Sequence, residues 1–195
     1  MEYKEQQETV PLQNRTDNRT ESYSLKKSIL SILTSVVLSV CIFSLIAMYF
    51  KPTLTHGYSM KPTLTEGDRA IAMVRRYTPA YGDVVIIRDL HKADKFLVKR
   101  IIGLSGDLID IDFSTGVVTR NGVVIEEPYI PEPTTTPGDV TFPLAVPEGH
   151  AFVMGDNRNH STDSRTTYTG TIPVENIEGK VLFRFHPIEK FGVIK

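Results

Sequence analysis

A serine in a short turn is the first residue of this 195-residue chain that could do chemistry. Ser59 lies in residues 57–64, Gly-Tyr-Ser-Met-Lys-Pro-Thr-Leu, where glycine and proline favour a turn that exposes the hydroxyl. The segment differs from the Gly-x-Ser-x-Gly elbow of the α/β-hydrolases, because Lys61 occupies the last position. Taken alone, this pattern is more typical of a structural turn than of a nucleophile.

A lysine among apolar neighbours is the second such residue. In a strand over residues 96–103, Lys99 shares a face with Leu97 and Ile101, whereas Arg100 lies on the other face. Burial opposes the charged form of an amine, and a lysine whose pKa falls to roughly 8 is neutral in about a tenth of the molecules at pH 7. That fraction is enough for a general base. The alternative is that both cations extend from a strand edge into water.

A polar loop supplies the third group of candidates. Residues 155–165 read Gly-Asp-Asn-Arg-Asn-His-Ser-Thr-Asp-Ser-Arg and contain no aliphatic side chain. They follow a strand-like segment at 151–154, so their donors and acceptors are predicted to lie at a strand end. The alternative is a hydrophilic turn or a cation-binding loop. Calcium loops need several acidic residues at alternate positions, and only Asp156 and Asp163 are present.

Composition excludes several kinds of site. Lys plus Arg total 22 and Asp plus Glu total 23, a net charge of −1, which argues against a protein that holds nucleic acid through its phosphates. The five histidines lack ligand spacing, and the single cysteine, Cys41, rules out thiolate zinc sites and internal disulfides. No phosphate-binding glycine loop occurs in the sequence. The sequence therefore predicts no metal, no cofactor and no nucleic-acid partner.

An apolar segment divides the chain. Residues 28–50 are 23 residues without a charge, preceded by Lys26 and Lys27 and followed by Lys51. As a helix they would be about 35 Å long, enough to cross a hydrocarbon core of about 30 Å. The alternatives are a buried helix of a soluble domain and a cleaved signal sequence, which the long charged lead-in and the length of the apolar core disfavour. The excess of basic residues before the segment predicts a cytoplasmic N-terminus.

The regions on either side of this segment differ in pattern. Residues 1–27 carry five basic and five acidic side chains and are predicted to form a disordered cytoplasmic tail. Residues 51–195 alternate short apolar runs with turn signals, which predicts one β-rich extracytoplasmic domain. Asn-Gly at 121–122 predicts a two-residue hairpin, and the proline-rich stretch 127–149 a long loop with an edge strand near 140–142. The predicted strands are 84–88, 96–102, 108–112, 117–119, 123–125, 150–154 and 180–185.

Together these segments resemble the bacterial type I signal peptidases, or leader peptidases. The order of features is similar: a membrane anchor, Ser-Met-x-Pro-Thr at 59–63, Gly-Asp-Val-Val at 82–85, Lys-Arg-Ile-Ile-Gly-Leu-x-Gly-Asp at 99–107 and Gly-Asp-Asn-Arg-x-x-Ser-x-Asp-Ser-Arg at 155–165. The resemblance covers about residues 26–186. It implies a mainly β fold, in which a single N-terminal transmembrane helix precedes a partly barrel-like catalytic domain of the kind shared with LexA-like self-cleaving repressors.

The resemblance also implies a role for each candidate residue. Ser59 would be the nucleophile and Lys99 the general base of a Ser-Lys dyad, so no histidine is needed. Ser161 corresponds to the hydroxyl that orients the lysine amine. Two further groups surround them: Met60, Leu97 and Val98 in the substrate pocket, and Arg100, Asp156, Asp163 and Arg165 in structural positions near the site.

The oxyanion hole implied by the resemblance uses the backbone N–H of Ser59. Some family members add a serine hydroxyl two residues before the nucleophile, where this chain has Gly57. A backbone amide or a water molecule must then complete the hole, or its stabilisation is weaker. The loss of one such donor costs about 3 kcal/mol.

The implied function is that of a membrane-bound serine endopeptidase. It would remove N-terminal signal peptides from exported preproteins, cutting after a small-x-small, Ala-x-Ala-like site. Its partners would be secretory preproteins, membrane lipid and the secretion translocon, and it would lie in the cell membrane with its catalytic domain on the outer face. Lys99 stands where the ER-type enzymes have histidine, and the single anchor and short domain resemble the Gram-positive form.

Two other functions remain as alternatives. A self-cleaving Ser-Lys repressor would share the dyad and the β fold, but such proteins are soluble and usually carry a DNA-binding helical domain. A non-catalytic membrane-tethered β domain would bind secreted partners and would tolerate Ser59→Ala and Lys99→Ala. The presence of Ser59, Lys99 and Ser161 together favours the peptidase.

Overall fold

The computed structural model describes residues 13–92 and 95–195. Its first element is one long helix, α1, Gln13–Tyr49. Within α1, the segment Tyr23–Tyr49 contains an 18-residue window with a mean hydropathy of 2.6, and it is the one helix in the described residues that is long and apolar enough to cross a membrane. These 27 residues span about 40 Å as a helix.

Three of the six hydroxyl side chains in residues 28–50 donate to carbonyls of the helix itself. The Thr34 and Ser35 hydroxyls both donate to the Ser31 carbonyl, each over 2.9 Å, and the Ser39 hydroxyl donates to the Ser35 carbonyl over 2.8 Å. Hydroxyls bonded in this way have no unpaired donor to place in hydrocarbon. The serine and threonine content is therefore compatible with a membrane span.

The bounds of α1 differ from the predicted ones at both ends. Residues 13–27 are helical, where the sequence predicted a disordered tail; residues 1–12 of that tail lie outside the described residues. Once a helix has nucleated, each residue that is fixed adds one further hydrogen bond, so a polar segment with one Gln, one Glu, two Lys and two Arg residues can extend it. At the other end Phe50, placed in the predicted span 28–50, begins the first strand. The domain boundaries themselves stay a prediction.

The remaining described residues form a β-rich unit. Its strands are β1 Phe50–Leu54, β2 Arg69–Met73, β3 Val84–Arg88, β4 Phe96–Leu104, β5 Leu108–Asp112, β6 Val117–Arg120, β7 Val123–Val124, β8 Leu144–Ala145, β9 His150–Met154, β10 Ile172–Pro173, β11 Ile177–His186 and β12 Gly192–Val193. Three short 3₁₀ turns, Arg158–His160, Val174–Asn176 and Ile188–Lys190, lie between strands. The mainly β fold class expected from the sequence is confirmed.

The described strands form two antiparallel sheets. The larger has the order β1-β2-β11-β3-β4-β9-β10, with β12 paired to β11, and the smaller has the order β7-β6-β5-β8. No pairing in the described residues joins β1 to β10, so the barrel-like closure is not confirmed. The β6–β7 hairpin turns at Asn121-Gly122, whose φ values of 55° and 79° are those of the predicted two-residue turn.

The seven predicted strands are found, and β1, β2, β10 and β12 were not predicted. All seven predicted strands correspond to observed ones, with bounds that differ by up to three residues. The edge strand predicted near 140–142 is wrong in position, because pairing with β5 occurs at β8 instead. The prolines at 143 and 147 limit backbone donors around this segment, which leaves room for only a two-residue strand.

Apolar residues of the central strands fill the core on both faces of the larger sheet. On β3, Val84 and Ile86 pack into one cluster with Met60, and Val85 and Ile87 pack into another. This explains why β3 is a continuous apolar run without alternation. Next to it, β4 pairs with β3 along its first half and with β9 along its second half. Each half of β4 is therefore held by one neighbouring strand, and the two partners overlap at Arg100.

Candidate active site

The turn that carries Ser59 is anchored by buried side chains on its C-terminal side. Met60 and Leu64 are 2% and 1% exposed and belong to the core cluster next to β3. The Leu64 N–H donates to the Met60 carbonyl over 2.8 Å, and the Lys61 N–H donates to the Tyr58 carbonyl over 3.2 Å. Ser59 is thus fixed at the edge of the core while its own side chain stays partly accessible.

Lys99 reaches this turn from the middle of β4. Its Nζ lies 2.8 Å from the Ser59 Oγ and 3.1 Å from the Ser161 Oγ, and the side chain is 3% exposed. The three predicted residues, which lie far apart in the sequence, therefore meet at one amine. Two hydroxyls on one amine leave it room to donate to one and accept from the other once it is neutral.

Burial is the main influence on the charge of this amine. It lowers the pKa of Lys99 to about 8, from an ordinary 10.5. The Asp163 carboxylate nearby raises the pKa, and the Arg165 guanidinium lowers it. At pH 7 about a tenth of such lysines are neutral, compared with about one in 3,000 at the ordinary value.

An ion pair within the polar loop holds Ser161 in place. The Arg165 Nε lies 2.8 Å from Asp163 Oδ1, and its other nitrogen lies 2.9 Å from Asp163 Oδ2. The same guanidinium donates to the carbonyl of Ser161 over 3.3 Å, and the Gly155 N–H donates to the Asp163 carboxylate over 3.0 Å. Asp163 and Arg165 are both buried, and the bonds to Arg165 hold the pKa of Asp163 below its ordinary value. Both residues, which the sequence predicts in structural positions near the site, lie in the loop that carries Ser161.

A second buried ion pair joins β4 to the polar loop and the serine turn. Arg100 binds Asp156 through two nitrogens, over 2.7 and 2.6 Å, and both side chains are almost fully buried. The Thr63 hydroxyl donates to the same carboxylate over 2.5 Å. Sequence reasoning missed Thr63, although it lies inside the segment 57–64 that was singled out. Asp156 thus links three elements, a connection that only the folded chain creates.

Two further residues of the loop contact the serine turn directly. The Asn157 N–H donates to the Ser59 carbonyl over 2.9 Å, and its side-chain amide donates to the Tyr58 carbonyl over 3.1 Å. A Cβ on Gly155 would lie 2.3 Å from the Ser161 Oγ and 2.4 Å from the Ser59 carbonyl oxygen. Only glycine fits between the two chain segments at this point. In the sequence, the only indication of a role for Gly155 and Asn157 is that they belong to the polar loop 155–165.

The backbone N–H groups of Gly57 and Ser59 differ in their hydrogen bonding. Gly57 has φ +84°, and its N–H donates to the Glu66 carboxylate. That bond lowers the pKa of Glu66. In the described part of the chain no protein group accepts a hydrogen bond from the Ser59 N–H. The Ser59 amide therefore has no partner among the described protein groups, whereas the Gly57 amide is bonded to Glu66.

A first cleft of about 940 Å³ runs from Ser59 and Lys99 between β1 and β4. Leu97 and Val98, two of the three residues that the sequence predicts in the substrate pocket, line it, and further apolar lining comes from Leu54, Val74 and Ile86. Met60, predicted in the same pocket, is not in this lining, because its side chain turns into the core cluster on which Val98 packs. Its apolar side chain anchors the turn instead.

A second cleft of about 460 Å³ opens from the same pair of residues. It shares Gly57, Ser59, Leu97 and Lys99 with the first cleft. Its remaining lining residues come from the serine turn and the polar loop: Tyr58, Lys61, Asn157, His160 and Thr162. The Ser59–Lys99 pair therefore lies where two clefts of different composition meet. Among the described residues, no group of three or more His, Cys, Asp or Glu side chains could hold a metal ion.

Comparison with known proteins assigns this arrangement to a family. The family model described as "Signal peptidase, peptidase S26" matches residues 26–186, most of the chain. The chain belongs to the signal peptidase S26 family. Members of this family among the similar proteins are signal peptidase I of Bacillus licheniformis, 36% identical over 87% of this chain and 95% of that one, and probable signal peptidase I-1 of Synechocystis, 34% identical over 86% of each.

A solved signal peptidase I from Enterococcus faecalis is also similar. It aligns with a TM-score of 0.45 and 30% identity, over 53% of this chain and 97% of that chain. The named relatives confirm the enzyme class expected from the sequence, a signal peptidase I serine protease, and include short Bacillus forms. Together with the apolar helix Tyr23–Tyr49, they indicate a membrane-anchored enzyme.

Proposed function

We propose that this S26 peptidase removes N-terminal signal peptides from exported preproteins with Ser59 as nucleophile and Lys99 as general base. The observation that carries the proposal is the 2.8 Å separation between Ser59 Oγ and a buried Lys99 Nζ whose pKa is lowered to about 8. A nucleophile and a base within hydrogen-bond reach, with a third group to orient the base, are the parts that such chemistry needs. Ser161 is that third group in the proposal.

In the first half of the reaction, the Ser59 hydroxyl attacks the carbonyl carbon of the scissile peptide bond. Its proton passes to the neutral Lys99 amine, which becomes an ammonium. As the tetrahedral intermediate collapses, Lys99 returns a proton to the leaving amine, and the C–N bond breaks. The products are a free mature chain and an ester between the signal peptide and Ser59.

In the second half, a water molecule attacks the ester carbonyl and gives its proton to Lys99. The C–O bond to Ser59 breaks, Ser59 recovers a proton from Lys99, and the signal peptide leaves with a free carboxyl group, which releases its proton to water. The amine is neutral again at the end of the cycle. Both halves need the same unprotonated lysine, so its low pKa serves each step.

The charge on the substrate oxygen in each intermediate needs a donor. In the proposal this donor is the Ser59 N–H, which forms no hydrogen bond with any described protein group. Gly57 has no hydroxyl to add, and its own N–H is bonded to Glu66. The second donor is therefore a water molecule or an amide that the substrate recruits, and the full contribution of such a donor is about 3 kcal/mol.

The first cleft suits an extended, apolar substrate. β1 is the end strand of its sheet, and β4 has β9 beside it only from Arg100 onward, so the outer edge of residues 96–99 is unpaired in the described structure. An extended peptide can pair with such edges while its alternate side chains enter pockets. In the proposal, Leu97 and Val98 of the cleft lining limit the first and third residues before the cut to small side chains, which is the small-x-small preference that the resemblance implies.

The location is part of the same proposal. The basic residues before the apolar helix favour a cytoplasmic N-terminus, which places the catalytic unit on the outer face of the cell membrane. Membrane lipid and the secretion translocon would then be its neighbours and preproteins its substrates. Protease protection in right-side-out and inverted vesicles tests the orientation, because the catalytic unit should be digested only in the former.

The activity is tested with a secretory precursor and detergent-solubilised full-length protein. Mass spectrometry of the products should show one cut after an Ala-x-Ala site for wild type and for the control Lys190→Met, an exposed lysine outside both clefts. Ser59→Ala and Lys99→Met should give no cut although both remain folded. A precursor with phenylalanine before the cut should resist wild type.

Each outcome separates the proposal from its alternatives. Cleavage that survives in Ser59→Ala would exclude Ser59 as nucleophile, and cleavage that survives in Lys99→Met would exclude the lysine base. Failure of wild type in detergent and also in lipid vesicles would instead favour a membrane-tethered binding module. Cutting of its own chain alone would favour a self-cleaving protein.

A further inference from the structure

The second cleft differs from the first in the elements that form it. Beyond the residues that the two clefts share, the first is walled by β1 and β4, and the second by the serine turn and the polar loop. Because the two clefts share Ser59, a peptide that crosses this residue from the first cleft can continue along the second. In the proposed reaction, the apolar first cleft takes the signal-peptide side of the cut, so the second receives the first residues of the mature chain.

The charged side chains that line the second cleft are basic. Lys61 and His160 line it, and none of its described lining residues is acidic. The first cleft, in contrast, includes Glu178 as well as lysines. The Lys61 Nζ lies 4.5 Å from the centre of the Tyr58 ring, which places the ammonium beside another lining residue of the cleft. His160 adds a ring N–H donor and, when protonated, a second positive charge.

We propose that the second cleft binds the beginning of the released mature chain and selects for an acidic side chain there, through Lys61 and His160. This inference rests on the proposed function. A carboxylate in the cleft would meet an ammonium and an imidazole and no opposing carboxylate from the described lining. A lysine at the same substrate position would be repelled by Lys61.

The size of the effect follows from the exposure of both residues. Lys61 and His160 are exposed, so a substrate carboxylate gains a solvent-screened contact. Contacts of this kind change a rate constant by about two- to fivefold. The preference for an acidic over a basic residue combines an attraction and a repulsion, so we expect about a tenfold ratio of kcat/KM at low salt.

The experiment compares peptides cleaved by full-length enzyme in detergent. Three precursors carry the same Ala-x-Ala site and differ only in the second residue after the cut, which is Asp, Asn or Lys. Wild type should cleave them in that order of kcat/KM, and the ratios should shrink as salt is raised. The double variant Lys61→Met/His160→Gln should cleave all three at similar rates, whereas Lys190→Met should keep the wild-type order.

The results separate this inference from the function on which it rests. Cleavage of all three peptides by wild type at equal rates would overturn the acidic preference and leave the peptidase intact. A preference that survives in the double variant would overturn the assignment to Lys61 and His160. If wild type cuts no peptide in detergent or in vesicles, the proposed function falls, and the inference falls with it.

Discussion

Replacing the buried lysine with an apolar side chain of similar length should make this protein more stable at neutral pH while it abolishes activity. In Lys99→Met the ammonium is removed from a position that is 3% exposed. Burial lowers the pKa of Lys99 from 10.5 to about 8. That difference corresponds to about 3 kcal/mol of cost to the folded state whenever the lysine is charged in the unfolded chain.

The sign depends on pH. Between about 8 and 10.5 the unfolded chain holds a proton on Lys99 that the folded chain has released, so the free energy of unfolding of wild type rises with pH in this window. Below it, the full cost is present. The variant has no such group, and its free energy of unfolding lacks this rise.

Two hydrogen bonds offset part of the gain. The amine contacts the Ser59 and Ser161 hydroxyls, and each lost bond costs about 1 kcal/mol. We therefore expect Lys99→Met to be about 1 kcal/mol more stable than wild type at pH 7 and about 2 kcal/mol less stable near pH 11. The change of about 3 kcal/mol between the two conditions is the decisive quantity, because other titrating groups are common to both proteins.

Urea unfolding followed by far-UV circular dichroism, on full-length protein in detergent, measures this quantity. Lys190→Met, which replaces an exposed lysine, should differ from wild type by the same small amount at both pH values. If the difference between Lys99→Met and wild type did not change with pH, Lys99 would have an ordinary pKa in the folded protein. Lys99 would then be almost fully protonated at pH 7 and could not act as a neutral base.

Three further substitutions make smaller changes. Two lie beside the Lys99 amine, and the third lies in the β6–β7 turn. Ser161→Ala removes a hydroxyl 3.1 Å from Lys99 Nζ, so kcat in a peptide-cleavage assay should fall about 10- to 100-fold with KM little changed; an unchanged kcat would exclude an orienting role. Gly155→Ala would bring a Cβ within 2.4 Å of the Ser59 carbonyl oxygen, so urea unfolding should show a loss of about 1–3 kcal/mol together with lost cleavage, and a stable, active variant would contradict the close approach. Asn121→Ala places a Cβ residue at φ 55° and removes the side-chain hydrogen bonds to the Leu108 N–H and to Asp107, so it should cost about 2–3 kcal/mol in the same unfolding assay and leave cleavage unchanged; an unchanged stability would contradict the turn geometry.

The parts of the fold that could be predicted are those with a strong local signal. The apolar run of β3 and the Asn-Gly turn of β6–β7 each depend on neighbouring residues alone. β1 gave no such signal, because it contains Pro52, which is tolerated only since β1 is the end strand of its sheet. β2 was missed for a different reason. Ala70 and Ala72 have low β propensity, and they are fully buried where strands pack closely.

The residues of the site could be predicted from the sequence, but the contacts between them could not. The sequence singled out Ser59, Lys99 and the polar loop, and resemblance to a family supplied their roles. It could not show that Thr63 and Asp156, 93 positions apart, share a hydrogen bond, or that Met60 turns into the core. Such contacts depend on how distant strands pair, and no local pattern records them.

The pH dependence of cleavage is the most direct test of the central claim, that a neutral Lys99 activates Ser59. With a peptide that has no titrating side chain, kcat/KM of wild type should rise about tenfold per pH unit up to about pH 8 and level off above it. A profile that keeps rising toward pH 10 would mean that the pKa of Lys99 in the folded protein is close to its ordinary value. A profile that is flat between about pH 6 and 8 would mean that another group is the base, and the account of this site would be contradicted.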